Sequence, residues 1–271
     1  MKLMQFIQGM FLTTCILLFA ACKNNDGPIY LVSVDNQQKI TDGTIELSLF
    51  STGEKFFIRG GEGNYTLKNG DATIADYRYD GETLTFLPVS IGQTSTTISD
   101  RKGNSYTVSI QVCNPTDEYR VESLDATVEG DDLTKGDEAT LKARIVEESP
   151  LQPEGRISLI YSDATLSYGE LRIFPNSTGN YQLGIFERTL KYAEDTGEPY
   201  LRIEATMAGS TKQQYTFMLF ENETTAEGTA ASEPSEGTTT VSLIKEDVTD
   251  QYNGEFRGLT KAYRIYHLIK Q

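Results

Sequence analysis

Short runs in which apolar and polar residues alternate, separated by glycine turns, most constrain the fold of this chain. Thr44–Phe50 (TIELSLF) and Ser105–Val112 (SYTVSIQV) are the clearest of these runs. A period of two places successive side chains on opposite faces of a sheet. Asp80-Gly81, between Asp76–Tyr79 and Thr83–Leu87, is typical of a two-residue hairpin turn. About seven strands at such regular spacing predict a β-sandwich in the first third of the chain.

Three glycines, at positions 60, 61 and 63, raise the question of a ligand-binding loop. A dinucleotide fingerprint needs a further glycine and then a helix whose N-terminus receives the pyrophosphate. Here Thr66 stands where the further glycine is required, and Tyr65–Lys68 has the pattern of a strand. No Gly-Lys-Ser/Thr follows a glycine loop either. The glycines therefore predict a corner between strands with positive φ angles.

The segment GNYTLKNGDATIADY…DGETLTF…IGQTSTTISDRKGNSYTVSIQV resembles a bacterial immunoglobulin-like domain. The matching features are the glycine corner, Ala72–Ala75, the Asp80-Gly81 turn, and Gly92 and Gly103 before the last two strands. We assign residues 29–115 to this domain, although Asp76–Tyr79 departs from the family pattern. The resemblance implies a spacer or adhesive scaffold without catalytic residues.

Residues 116–271 predict a second all-β, sandwich-like domain, so the chain as a whole is expected to be all-β. An acidic stretch near residues 222–240 lacks large apolar side chains and predicts a disordered loop. Helix is expected at most in Val248–Phe256, where Gly254 opposes it. The predicted strands are Tyr119–Val128, Glu138–Glu147, Arg156–Tyr161, Thr165–Phe174, Asn180–Phe186, Leu201–Met207, Gln214–Phe220, Thr239–Lys245 and Ala262–Ile269. The last of these strands could lie at a sheet edge.

The N-terminus has the pattern of a targeting segment. An apolar run too short to span a bilayer precedes Phe19-Ala20-Ala21-Cys22. This tetrapeptide resembles the lipobox of bacterial lipoproteins, which implies removal of signal residues 1–21 and acylation of Cys22. Residues 22–28 would then be a lipidated tether to the outer membrane. Lys23–Asp26 partly resembles the surface-export signal of Bacteroidetes lipoproteins; an ordinary secretory signal and a periplasmic location remain the alternatives.

Charge and composition exclude several function classes. Without the signal the chain has 23 basic and 39 acidic residues, a net charge of −16, which repels nucleic acids and anionic lipid. Cys113 is then the one thiol not assigned to lipid, and His267 is the single histidine. Nucleophilic catalysis requires a base beside the nucleophile, and a histidine-based zinc site requires more ligands. We expect both residues to be structural, and we expect no cofactor and no metal.

Acidic pairs are the remaining candidates for catalysis or calcium binding. Asp131-Asp132 and Glu147-Glu148 lie next to predicted turns, and the acidic residues near Glu129 and Asp137 lack EF-hand spacing. The chain also has no tryptophan, the strongest aromatic platform for a sugar ring. The pattern therefore favours solvated turns over a hydrolase or a calcium site.

Tyrosine is the enriched aromatic residue, with 15 copies. Tyr77 and Tyr79 share one face of a predicted strand, where they could form a binding patch or fill the core. We expect a non-enzymatic, lipid-anchored surface protein whose immunoglobulin-like stalk presents a distal β domain to a glycan or protein partner. The alternatives are a glycan-capture accessory of a nutrient uptake system, a fimbrial or assembly subunit that uses the Ala262–Ile269 run, and a hydrolase.

Overall fold

The fold was analysed in a computed structural model that describes residues 27–194, 196–209, 213–223 and 240–271. The regular structure of the described residues is almost entirely β-sheet, which confirms the predicted all-β class. It divides between Cys113 and Asn114 into two compact units. The predicted signal peptide, Cys22 and most of the predicted acidic loop lie outside the described residues. Within them, no helix is long and apolar enough to cross a membrane.

The first unit is a sandwich of two four-stranded sheets. One sheet has the order β1-β3-β6-β5 and the other β2-β8-β7-β4. Strands β2 and β8 pair in parallel, and the other pairs are antiparallel. The strands are β1 (Tyr30–Ser33), β2 (Thr44–Ser48), β3 (Glu54–Arg59), β4 (Thr66–Asn69), β5 (Ala75–Tyr79), β6 (Thr83–Pro88), β7 (Gly92–Ser99) and β8 (Ser105–Cys113).

Alternating residues of both sheets form the core of the sandwich. Phe56 and Phe86 come from one sheet, Ile98 and Ile110 from the other, and all four are buried. The rings of Phe56 and Phe86 lie 5.9 Å apart. The period of two in the sequence therefore corresponds to one buried and one solvated face on each sheet.

The glycine corner is a turn stabilised by a single carboxylate. Gly60, Gly61 and Gly63 all have positive φ angles, and a Cβ on Gly60 would lie 2.1 Å from the carbonyl oxygen of Pro28. Asp100 accepts hydrogen bonds from the side chain of Asn104 and from the backbone of Glu62, which keep the pKa of its carboxyl below the usual range. The prediction of a structural corner is confirmed.

The second unit is a closed barrel of eight antiparallel strands, where the sequence predicted a second sandwich-like domain. Each strand pairs with the next along the chain, and the last strand pairs with the first, so the sheet has no edge. The strands are β9 (Thr116–Gly130), β10 (Arg156–Tyr161), β11 (Tyr168–Phe174), β12 (Gln182–Tyr192), β13 (Pro199–Met207), β14 (Gln214–Glu223), β15 (Thr240–Asp247) and β16 (Leu259–Lys270).

Inward-facing side chains fill the barrel. They include the buried rings of Tyr119, Tyr161, Phe186 and Phe217, and the rings of Tyr161 and Phe186 meet edge to face at 5.5 Å. Eight strands leave an interior that side chains can fill. The barrel is therefore stabilised by a packed aromatic and aliphatic core.

A helix replaces the strand that was predicted over Glu138–Glu147. Helix α1 (Lys135–Glu147) begins at a capping box, in which Thr134 and Asp137 bond each other's backbone. Leu141 and Ile145 are buried, whereas Ala143 between them is exposed. The strand prediction was wrong because Leu141 and Ile145 are four residues apart, and this spacing fits both the two-residue period of a strand and one turn of a helix. A second, short helix, α2 (Thr249–Tyr252), lies within the stretch where helix was allowed.

A buried ion pair lies next to helix α1, at the end of the barrel where β9 finishes. Arg264 on β16 contacts Glu246 on β15 at 2.7 Å, and both side chains are at most 4% exposed. Glu246 also accepts a hydrogen bond from the hydroxyl of Tyr266 at 3.0 Å. Arg264 donates a second hydrogen bond to the carbonyl of Ile145 in α1. The pair thus connects the barrel wall to the helix.

Strand β16 is not a sheet edge. It pairs with β15 over residues 263–269 on one side and with β9 over residues 259–270 on the other. The prediction that the Ala262–Ile269 run might lie at an edge is therefore wrong, because closure of the barrel gives the strand two partners.

Candidate functional site

An exposed apolar surface on the outer wall of the barrel is the strongest candidate site. Leu183 and Ile185 of β12 point outward and are 41% and 52% exposed, while Gly184 and Phe186 point inward. Tyr181, just before the strand, is 47% exposed on the same side. Outward positions of a sheet that faces water are normally polar. Apolar side chains at three successive outward positions are therefore unusual for a solvated wall.

Tyr168 extends this surface onto the neighbouring strand. It opposes Glu187 across the β11–β12 pair, which places it diagonally beside Ile185. Tyr168 is 46% exposed. We call Tyr168, Tyr181, Leu183 and Ile185 the outer-wall patch.

Arginine and aromatic side chains border the patch at its Tyr181 end. The ring of Tyr181 lies 5.2 Å from that of Phe174, and the guanidinium of Arg172 lies over Tyr181 at the same distance. Arg156 covers the other ring, that of Phe174, at 4.5 Å. These contacts hold Tyr181 in place and leave part of its ring exposed.

A groove of about 370 Å³ lies at the other end of the patch. Tyr168 and Ile185 line it together with polar residues of three strands, and Tyr168, Glu187, Glu204 and Thr216 form one cross-strand row along it. The groove therefore combines apolar surface with carboxylates and hydroxyls.

Two carboxylates face each other in that row. Glu187 on β12 lies directly opposite Glu204 on β13. Glu204 has a cationic neighbour, since Arg202 contacts it at 2.6 Å, but Glu187 takes part in no ion pair within the described ranges. Like charges at directly opposed positions destabilise a sheet. The groove therefore carries negative charge that the described barrel does not neutralise.

A polar cluster at the barrel end opposite the Arg264–Glu246 pair is internally satisfied. At the end where β9 begins, Lys270 contacts Asp117 at 2.9 Å and Glu221 at 3.2 Å. Tyr119 donates to Glu221, and Tyr161 donates to Asp117. Burial, followed by these carboxylates, raises the pKa of both phenols well above the usual range. The cluster closes the barrel with matched donors and acceptors and offers no free group to a ligand.

The structure places the predicted tyrosine patch against the sandwich core. Tyr77 and Tyr79 share a face of β5, as expected, and both rings pack against the core. Their hydroxyls donate to the backbone carbonyls of Leu67 and Gly81. This geometry favours a packing role for the two rings. The outer-wall patch is therefore the stronger candidate for a binding surface.

The remaining candidate residues lie apart from the patch. Cys113 ends β8 and is half-buried, with its sulfur accepting from the amide of Gln111. His267 lies on β16 and is partly exposed. Glu148 bonds Arg144 and Tyr252, while Asp131 and Asp132 are exposed in a turn after β9.

Metal ligands do not cluster in the described part of the chain. No three of its histidine, cysteine, aspartate or glutamate side chains come together in a way that could hold an ion. Of the acidic residues considered for calcium, Asp137 takes part in the capping box of α1, where its carboxylate accepts from the backbone N–H of Thr134.

Sequence reasoning missed the outer-wall patch, although a signal was present. Tyr181–Phe186 (YQLGIF) has apolar residues on both faces of the strand, whereas a strand with one solvated face should alternate. Only the closed barrel shows which of those residues point outward.

Comparison with known proteins leaves the family open. No protein-family model and no curated protein matches the chain. Among solved structures, a Bacteroides ovatus protein of unknown function aligns with 89% of this chain and 94% of its own, at 9% identity and a TM-score of 0.39.

Proposed function

We propose that the protein is a non-enzymatic, lipid-anchored cell-surface protein whose barrel binds a glycan or protein partner. The sandwich would act as a stalk next to the tether, and the barrel would present the binding surface. The single observation that carries the binding role is the outer-wall patch, because exposed apolar surface of this kind on a soluble protein usually marks an interaction site.

Two features of the first unit support the stalk and the anchor. Phe19-Ala20-Ala21-Cys22 resembles a lipobox, and acylation there would provide stable membrane attachment. The two sheets, β1-β3-β6-β5 and β2-β8-β7-β4, follow the strand order of a constant-type immunoglobulin sandwich, with an added strand beside the last one. Together with the sequence resemblance, this order supports an immunoglobulin-like stalk of the kind found in Bacteroidetes surface lipoproteins.

The anchor can be tested through Cys22. In cells that express the full chain, a clickable palmitate analogue should label the wild type, and Cys22→Ala should lose the label and leave the membrane fraction. Cys113→Ala, the control for loss of a thiol, should keep both. Equal labelling of the wild type and Cys22→Ala would contradict the proposal of a lipid anchor.

The binding role can be tested with purified residues 23–271. We expect binding to a glycan array or to isolated outer-surface proteins of the source cell, with no turnover of any polysaccharide offered. Leu183→Ser with Ile185→Ser should raise the dissociation constant about thirtyfold, since apolar anchors at an interface each contribute on the order of 1 kcal/mol or more.

The matched control is Val89→Ser with Ile91→Ser, which changes two exposed aliphatic residues of the first unit and should leave binding unchanged. Equal binding by the wild type and the Leu183→Ser/Ile185→Ser variant would exclude the patch as the site. Robust cleavage of a polysaccharide would overturn the non-enzymatic role.

The alternative roles differ in how much the geometry supports them. A glycan-capture role in nutrient uptake is favoured by the exposed rings of Tyr168 and Tyr181, which combine flat area with a hydroxyl. A fimbrial role through strand donation is not favoured, since β16 already pairs on both sides.

A further inference from the structure

We propose that the partner of the outer-wall patch is a protein segment that carries lysine or arginine next to apolar side chains. This inference rests on the proposed binding function and specifies its partner. The segment would lie across β12, with its apolar side chains on Leu183 and Ile185 and its cation between Glu187 and Glu204.

The aliphatic centre of the patch favours protein over sugar. Leu183 and Ile185 occupy the middle of the patch, and the tyrosines stand at its ends. Aliphatic side chains lack the flat π face on which a sugar ring stacks, whereas an apolar centre with a polar rim is the usual anatomy of a protein interface. The rim here is supplied by Arg172 at one end and by the groove at the other.

The charge of the groove selects a cationic partner. Glu187 opposes Glu204 across the β12–β13 pair. Of these two glutamates, only Glu204 has an ion-pair partner among the described residues. A lysine or arginine seated there would give Glu187 an opposite charge. The net charge of −15 for the whole chain would add to the attraction at long range.

The same charge disfavours the other possible occupants. A second copy of the chain would bring another acidic molecule, of net charge −15, against these carboxylates. An anionic lipid surface or an acidic polysaccharide would be repelled by the same carboxylates. A basic, apolar protein segment is complementary to both the shape and the charge of the surface.

The test uses the full chain, with synthetic peptides as probes. The first is a fluorescent dodecapeptide of alternating lysine and leucine; the second replaces leucine with serine, and the third replaces lysine with glutamate. By fluorescence anisotropy, we expect the lysine–leucine peptide to bind at least tenfold more tightly than either of the others. Raising the salt concentration should weaken this binding, since exposed charges are screened.

Variants of the patch then locate the binding. Ile185→Ser and Glu187→Lys should each weaken the lysine–leucine peptide about tenfold. Glu122→Lys, which makes the same charge change at an exposed position of β9, should have little effect. Equal losses in Glu187→Lys and Glu122→Lys would show attraction to net charge alone and would overturn the inference.

Glu187→Gln separates binding from stability. Because Glu187 makes no ion pair within the described ranges, the variant should unfold at no lower urea concentration than the wild type, and it should nevertheless bind the peptide more weakly. Unchanged affinity would contradict the role of Glu187.

The inference and the proposed function can fail separately. Binding on a glycan array that is lost in Ile185→Ser, with no preference for the lysine–leucine peptide, would overturn the protein partner and leave the binding role intact. Absence of binding to the peptides, the glycans and the surface proteins would overturn both.

Discussion

Replacing Arg264 with methionine should lower the free energy of unfolding of the barrel by about 3–5 kcal/mol. The change leaves the carboxylate of Glu246 buried without its cation, and the hydroxyl of Tyr266 would be its remaining donor among the contacts described above. The variant also loses the hydrogen bond from β16 to Ile145 in α1. Urea unfolding followed by circular dichroism measures the loss, and hydrogen exchange of residues 259–270 assigns it to the barrel.

Two controls separate burial from the mere loss of an ion pair. Arg120→Met breaks the exposed pair with Glu154 and should cost at most about 1 kcal/mol. Adding Glu246→Leu to Arg264→Met should recover much of the stability, since it removes the unpaired buried charge. Equal costs for Arg264→Met and Arg120→Met would show that the buried pair does not stabilise the barrel.

Phe186→Ala should destabilise the barrel by about 3–5 kcal/mol, whereas Ile185→Ala should change its stability by no more than about 0.5 kcal/mol. Phe186 is 1% exposed inside the barrel and packs against Tyr161, while its neighbour Ile185 is 52% exposed on the outer wall. Paired urea denaturation curves of the two variants give the comparison directly.

The order of the two effects tests the register of β12. A shift by one residue would exchange the inner and outer faces of the strand, so a larger loss for Ile185→Ala would contradict the described pairing. The same experiment supports the use of Ile185 variants in binding studies, because a fully folded variant that loses binding has lost a contact and not its structure.

The patterns that the sequence carries locally predict much of the sandwich. Alternation in Ser105–Val112 corresponds to β8, and the Asp80-Gly81 turn lies between β5 and β6 as expected. The glycine corner was predictable because a run of glycines followed by a strand pattern is explained by backbone conformation alone. These features depend on residues that are close in sequence.

In the second unit, local sequence patterns predict individual strands but not how the strands assemble. The Arg156–Tyr161 strand was predicted with its observed bounds, yet neither the closure of the barrel nor helix α1 was. Closure depends on the pairing of β16 with β9, which are separated by the rest of the barrel. Helix α1 was missed because Leu141 and Ile145 fit both periods, and only the exposure of Ala143 distinguishes them.

The amino-acid sequence by itself determined the all-β class, the glycine corner, the acidic surface and the resemblance of its N-terminus to a lipoprotein signal. Tertiary structure alone decided that the second unit is a barrel, that Tyr77 and Tyr79 pack on a core, and that Leu183 and Ile185 face solvent beside Glu187. The reason is physical: alternation assigns residues to two faces of a strand, but which face is buried depends on the other strands that close around it.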